Sequence, residues 1–226
     1  MSDVNSEQPP APEPAELAPP AALSRWRDMW LKPRAVLRQQ LATPAHWSDW
    51  LPAMLAGTAA VLETFAISQS TAVAAGLPPL PQPSTLSLLL MALVLGPLSG
   101  LLHVGIMGFL LRHVSRLIGG LTTAGKSAVS AVTPAAMRRG ISLALVPMAF
   151  SLLPGLFELW WRGQQGNDVG LTISTGVKTV LNIWFLLLLV MTVSEVLQQS
   201  IRRATLTVAS TLLVLVGIFL ALRGPL

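Results

Sequence analysis

The chain of 226 residues contains no cysteine and no tyrosine, and only 11% of its residues are charged. Without cysteine there is no disulfide framework, no thiol catalysis and no thiolate metal site. The charged fraction is less than half of the roughly 25% found in ordinary soluble domains. Because 52% of the residues are hydrophobic, this composition predicts an all-α integral membrane protein.

The chain also lacks recognisable arrangements of catalytic or metal-binding residues. No GxSxG nucleophile elbow, spaced aspartate pair or serine–lysine arrangement occurs within its apolar stretches, so intramembrane hydrolysis lacks its chemistry. His46, His103 and His113 show neither HxxxH nor HExxH spacing, which argues against a metal site. We therefore expect a protein that is not an enzyme and that uses no metal and no cofactor.

What the sequence does contain is long apolar stretches. A hydrocarbon core of about 30 Å is crossed by about 20 helical residues. Five stretches meet this requirement, at 51–75, 86–111, 140–161, 177–196 and 204–222. Pro147 and Pro154 lie in the third, where a membrane helix tolerates proline if neighbouring helices satisfy the freed carbonyls. The sequence thus predicts a bundle of five transmembrane helices within residues 47–226.

Basic residues concentrate in alternate gaps between these stretches. Of the 15 lysines and arginines, five precede the first stretch, five lie between the second and third, and two lie between the fourth and fifth. The positive-inside rule then places the N-terminus in the cytoplasm and the C-terminus outside the inner (plasma) membrane. The isoelectric point near 11.1 indicates contact with anionic lipid headgroups, and we expect no nucleic-acid partner.

The residues before the first stretch form two segments of opposite charge. Residues 1–23 contain six prolines, four acidic residues and no cation, which predicts a disordered tail or a polyproline docking segment and no secretory signal. Residues 24–46 alternate tryptophan with basic residues, and Pro33 divides them into two short helices. This pattern is typical of a segment lying on the bilayer surface, and a plain juxtamembrane linker is the alternative. The candidate contacts to anionic lipid are Arg25, Arg27, Lys32, Arg34 and Arg38.

Polar residues inside the apolar stretches are the other functional candidates. Glu63 lies at the centre of the first stretch, where an ionised carboxylate is unfavourable by several kcal/mol. Its candidate partners are His103, Lys178 and Asn182. Snorkelling to the outer interface is the alternative if the helix ends early. With Glu195, these residues are the candidate intramembrane polar residues. If the protein is a transporter or channel component, Glu63, His103, Asn182 and Glu195 line one water-accessible route.

Three further patterns carry weaker expectations. Residues 120–127 match the GxxxxGK[ST] phosphate-loop spacing, but they follow a membrane helix rather than a strand, so we expect no nucleotide binding. Residues 121–137 predict a short cytoplasmic helix or a re-entrant segment. Gly96 and Gly100 predict close approach of another helix of the same chain, while Gly217 and Ala221 fit either a neighbouring helix or a second copy of the chain.

Several motifs between residues 29 and 222 occur in an order known from one family. They are Trp30-Leu31-Lys32-Pro33-Arg34, Leu95-Gly96-Pro97-Leu98, Arg116-Leu117-Ile118-Gly119-Gly120 with Lys126, and Ser194-Glu195-Val196 followed by Ser200 and Arg203-Ala204. Through these motifs and their order, the chain resembles the bacterial branch of the Yip family, the Ypt-interacting membrane proteins. The resemblance implies five spans with a cytoplasmic N-terminus. Gln198-Gln199 and Arg138-Arg139 depart from the family pattern.

The Yip resemblance implies Rab-type GTPase binding for eukaryotic members, and the bacterial motif set argues against that partner here. The favoured function is a non-enzymatic inner-membrane protein of Yip type, an interaction or membrane-organising subunit that acts through a basic cytoplasmic face. Its expected partners are anionic lipid headgroups and an unidentified membrane or cytoplasmic protein, with homo-oligomerisation left open. A small transporter or channel component is the alternative.

Overall fold

The computed structural model describes residues 22–74, 84–119, 133–163 and 168–223, and within these ranges its regular structure is helical without strands. The helices are α1 (Ala22–Leu31), α2 (Pro33–Ala42), α3 (Leu51–Ala74), α4 (Thr85–Gly119), α5 (Pro134–Ala144), α6 (Val146–Phe150), α7 (Leu152–Gly163), α8 (Asp168–Val196) and α9 (Ile201–Arg223). A 3-10 helix, Trp47–Trp50, leads into α3. The expected all-α fold is confirmed. Residues 1–21 of the expected tail, the phosphate-loop pattern and most of 121–137 lie outside the described residues, whereas residues 22 and 23 belong to α1.

Three helices are long and apolar enough to cross a membrane: Thr85–Ile118, Gly170–Val196 and Ile201–Leu222. The pair Pro134–Ala144 and Val146–Trp161 adds a fourth span if its two bent halves count as one. The chain is therefore a multi-pass membrane protein with three to four such spans. Their surfaces fit this setting, because leucines such as Leu213 and Leu222 are exposed by 72% and 82%.

The third apolar stretch is broken rather than continuous. It bends by 42° between its two halves, with breaks at Leu145 and Ser151 on either side of α6. Pro147 and Pro154 each follow a break closely, because proline lacks an amide proton and its ring clashes with the carbonyl four residues earlier. The sequence predicted a span here that tolerates two prolines, and it did not predict the bend. In contrast, α4 continues through Pro97.

Helices α3 and α4 pack in backbone contact through three glycines. A Cβ added to Gly57 would overlap the backbone of Gly96 and Gly100, and one added to Gly100 would overlap the Ala53 carbonyl. The Gly96/Gly100 pattern therefore marks packing inside one chain, as expected. A Cβ at Gly217 would meet nothing within 4 Å among the described residues, so this glycine on α9 serves no such contact with another described helix.

Helices α1 and α2 fold back on each other as an antiparallel pair, which we call the N-terminal hairpin (residues 22–42). Pro33 begins α2, so the expected break between two short helices is confirmed. Met29 and Leu37 are 1% and 0% exposed and share a core cluster with Leu188 of α8. Trp30 stacks on Trp184 at a ring-centroid distance of 6.0 Å. The apolar face that was expected to meet the bilayer surface packs on protein instead.

Candidate functional site

The N-terminal hairpin is held to the end of α8 by a forked ion pair. Arg38 donates from Nε to Glu195 Oε2 at 2.8 Å and from Nη2 to Oε1 at 3.1 Å. Arg34 Nε approaches the same carboxylate at 3.6 Å. Hydrogen bonding to Glu195 and the opposite charge raise the pKa of Arg38 above its ordinary value. Glu195, predicted as an intramembrane polar residue, is thus an anchor for α2, and a two-pronged arginine contact fixes geometry as well as charge.

A second carboxylate, Asp49, lies at the centre of a buried polar cluster. Its Oδ2 is 2.7 Å from Arg139 Nε and its Oδ1 is 3.2 Å from Arg25 Nη1. The three side chains are exposed by only 1%, 7% and 13%. The backbone amide of His46 also donates to Asp49 Oδ2 at 3.0 Å. Asp49 therefore links the hairpin, the 3-10 helix and α5 through opposite charges that water scarcely reaches.

Gln40 and the loop after α2 complete this cluster. Gln40 Oε1 accepts from Arg25 at 3.3 Å and from Arg139 at 3.1 Å. The Thr43 carbonyl accepts from Arg139 Nη1 at 2.6 Å, and the Pro44 carbonyl accepts from Nη2 at 3.2 Å. Arg139 thus donates hydrogen bonds to the end of α2 and to the loop that follows it. These contacts explain why a buried arginine lies at the entry to α5.

The predicted lipid contacts divide into two groups in the structure. Arg25 lies inside the Asp49 cluster, whereas Arg27 is 74% exposed beside Asp28. Lys32 is exposed at the turn between the two helices. Arg34 and Arg38 remain 45% and 69% exposed although both contact Glu195. Four cations of the hairpin are therefore exposed. Arg27 and Lys32 make no contact with Asp49 or Glu195, whereas Arg34 and Arg38 contact Glu195 and remain partly exposed.

Glu63 belongs to a separate group of three charges. Lys178 Nζ lies 3.0 Å from Glu158 Oε2 and 3.6 Å from Glu63 Oε1. Lys178 and Glu158 are each 10% exposed at the side chain, and Glu63 is 39% exposed. The sequence suggested three partners for Glu63, and Lys178 is the one that contacts it. Glu158 completes the group and was not anticipated.

Pairing of opposite charges explains why this group is tolerated between apolar helices. At 1.5 Å per residue, Glu63 lies about 18 Å from the start of α3 and Lys178 about 27 Å from the end of α8. The group is therefore remote from the end of α8 that contacts the N-terminal hairpin. Pairing reduces the cost of placing charges among apolar side chains.

The predicted polar route is not assembled in the described residues. His103 and Asn182 lie on exposed faces of α4 and α8. Glu195 is 17 residues from Lys178 on the same helix, which is about 25 Å. The described residues also contain no group of three His, Cys, Asp or Glu side chains that could hold a metal ion. The four side chains of the transporter hypothesis therefore do not face one another.

Sequence reasoning missed Asp49 and Glu158, the two carboxylates that organise these clusters. A signal for Asp49 was present, since it is the single acidic residue between the basic hairpin and the first apolar stretch. A signal for Glu158 was its position in an apolar stretch, as for Glu63.

Comparison with protein-family models, with curated proteins and with solved structures finds no match to this chain. Its function must therefore be argued from its own residues.

Proposed function

We propose that the chain is a non-enzymatic inner-membrane protein of Yip type that acts as an interaction or membrane-organising subunit. The surface that contacts its partners is the exposed side of the N-terminal hairpin. The observation that supports this most is the anchoring of the hairpin at two carboxylates, Asp49 and Glu195. A segment that served only as a linker has no need of two buried anchors.

The proposal includes five spans, with the hairpin on the cytoplasmic side. Helix α3 has 24 residues, which is about 36 Å and enough to cross the core. It packs along α4 through backbone contact at Gly57, so it follows the direction of a spanning helix. The cation distribution supports this orientation, because the hairpin, Arg112 and Arg202 all belong to the gaps that are rich in arginine.

The exposed cations of the hairpin suit two kinds of partner. Near a membrane surface that contains anionic lipid, each lysine or arginine contributes about 1 kcal/mol of attraction. Arg27 and Lys32 project from a hairpin whose apolar side is already buried. The same fixed positive surface is available to an acidic patch on a membrane or cytoplasmic protein. Rigid presentation lowers the entropy lost on binding either partner.

Site-specific photocrosslinking in native membranes tests this surface in the full-length protein. A photoactivatable residue replaces Lys32 in one variant and Leu213, 72% exposed on α9, in a control. We expect adducts at position 32 to be enriched in anionic lipid headgroups and to include a discrete protein. Adducts at position 213 should reflect the bulk lipid. Adding Arg27→Glu should reduce the adducts at position 32 several-fold.

If positions 32 and 213 yield the same lipid composition and no protein adduct, the hairpin is not an interaction surface. Insensitivity to Arg27→Glu would likewise count against a role for its charge.

A further inference from the structure

Two adjoining cavities form one open groove between the start of α3, the second half of α4 and α5. Their volumes are about 460 and 280 Å³, and both are lined by Gly105 and Arg138. We call this feature the α4–α5 groove. The larger part also borders the 3-10 helix and the start of α3, and the smaller part borders the last turns of α4 and the start of α5.

Two glycines of α4 keep this groove open. A Cβ added to Gly105 would meet nothing within 4 Å, so the space beside it is unfilled by described residues. A Cβ added to Gly108 would lie 3.1 Å from Arg138 Cγ. The missing side chain at Gly108 thus lets the stem of Arg138 lie close against α4.

The groove is apolar at one end and positively charged at the other. Trp50, Met54 and Leu101 line the apolar end, whereas Arg112 lines the charged end and Arg138 lies at the junction of the two parts. Arg112 Nε is buried and has no hydrogen-bond partner among the described residues. Arg138 Nε donates to the Pro134 carbonyl, at 3.3 Å, within its own helix.

No described carboxylate neutralises this end of the groove, because the acidic side chains with described contacts are paired elsewhere. Asp28 contacts Arg27, Asp49 contacts Arg139, Glu195 contacts Arg38, and Glu63 and Glu158 share Lys178. The charged end therefore favours an anion supplied from outside the chain, and phosphate groups suit arginine forks.

The length of the groove matches one leaflet of a bilayer. Leu101 and Arg112 are 11 residues apart on α4, which is about 16 Å, and half of a hydrocarbon core is about 15 Å. An apolar channel of leaflet length that ends at two arginines has the dimensions and charge of a phospholipid.

We propose that the α4–α5 groove binds one anionic phospholipid, with its phosphate at Arg112 and Arg138 and an acyl chain along Met54, Leu101 and Gly105. This site goes beyond the proposed function. It uses neither Arg27 nor Lys32, so either proposal can fail without the other.

Ligand-dependent thermal unfolding of the purified full-length protein tests the charge at this site. Phosphatidylglycerol and phosphatidylcholine with the same acyl chains are added to the protein in mild detergent. We expect phosphatidylglycerol to raise the unfolding temperature at a concentration at least tenfold lower than phosphatidylcholine. Arg112→Gln with Arg138→Gln should abolish this preference. Arg202→Gln, which removes an exposed cation from the start of α9, should retain it.

Filling the groove tests its shape. Gly105→Leu places a side chain in open space and should weaken phosphatidylglycerol binding at least tenfold while leaving the unfolding temperature without lipid unchanged or raised. Gly217→Leu, at another glycine with nothing within 4 Å, is the control and should bind lipid normally.

Three results would overturn the lipid site. They are equal half-saturation by the two lipids, unchanged binding by Gly105→Leu, and displacement of phosphatidylglycerol by millimolar inorganic phosphate. The last would identify a site for a soluble anion instead of a lipid.

Discussion

Asp49→Ala is expected to lower the free energy of unfolding by about 3 to 5 kcal/mol, the range for breaking a buried ion pair by removing one partner. Arg139, with its side chain 7% exposed, would keep its charge and lose its carboxylate, and Arg25 would lose the same partner. The expected result is a large fall in unfolding temperature in detergent or a failure to accumulate in the membrane.

Two comparisons separate this effect from a general loss of acidic charge. Asp28→Ala removes an exposed pair at 3.4 Å and should change stability by less than about 1 kcal/mol. Asp49→Ala combined with Arg139→Met should be less destabilised than Asp49→Ala alone, because the stranded guanidinium is gone. If Asp49→Ala and Asp28→Ala are equally stable, the buried cluster does not hold the hairpin.

Gly100→Ala is expected to be strongly destabilising, although it adds only one methyl group. Its Cβ would overlap the Ala53 carbonyl, and backbone has no alternative rotamer to adopt. Helices α3 and α4 would have to separate along their shared length, from Ala53 to Gly57. Overpacking typically destabilises by about 1 to 3 kcal/mol, and contact with backbone places this case at the upper end.

Gly105→Ala on the same helix is the matched control. Its Cβ meets nothing within 4 Å, so the better helix propensity of alanine should raise stability by about 0.5 to 1 kcal/mol. Thermal unfolding of both variants in detergent measures the contrast. Equal unfolding temperatures would show that α3 and α4 do not approach as closely as the structure places them.

Much of the helical framework was predictable because its signals are local. Apolar length indicated α4, α8 and α9, Pro33 indicated the break in the hairpin, and the Gly96/Gly100 spacing indicated a close helix contact. The bend in the third stretch was not predicted. Proline inside a membrane helix is compatible with a straight or a broken helix, and the choice depends on which neighbours satisfy its freed carbonyls.

The ion pairs were harder to predict because they depend on rotation and depth of helices that are distant in sequence. Arg25 had the same sequence pattern as Arg27, yet one is buried against Asp49 and the other is exposed. Lys178 could be named as a partner for Glu63 but not chosen over Asn182, since periodicity does not show which faces meet. Charge pattern alone thus indicated a basic surface without showing which cations are available.

We propose that the basic end of the bundle faces the cytoplasm and the C-terminus faces outside, and the role of the N-terminal hairpin depends on this orientation. Because the chain has no cysteine, single-cysteine variants Lys32→Cys and Leu226→Cys can be labelled with a membrane-impermeant thiol reagent. We expect Leu226→Cys to react in intact cells and Lys32→Cys to react only after the membrane is permeabilised. Labelling of Lys32→Cys in intact cells, or protection of Leu226→Cys until permeabilisation, would contradict the account.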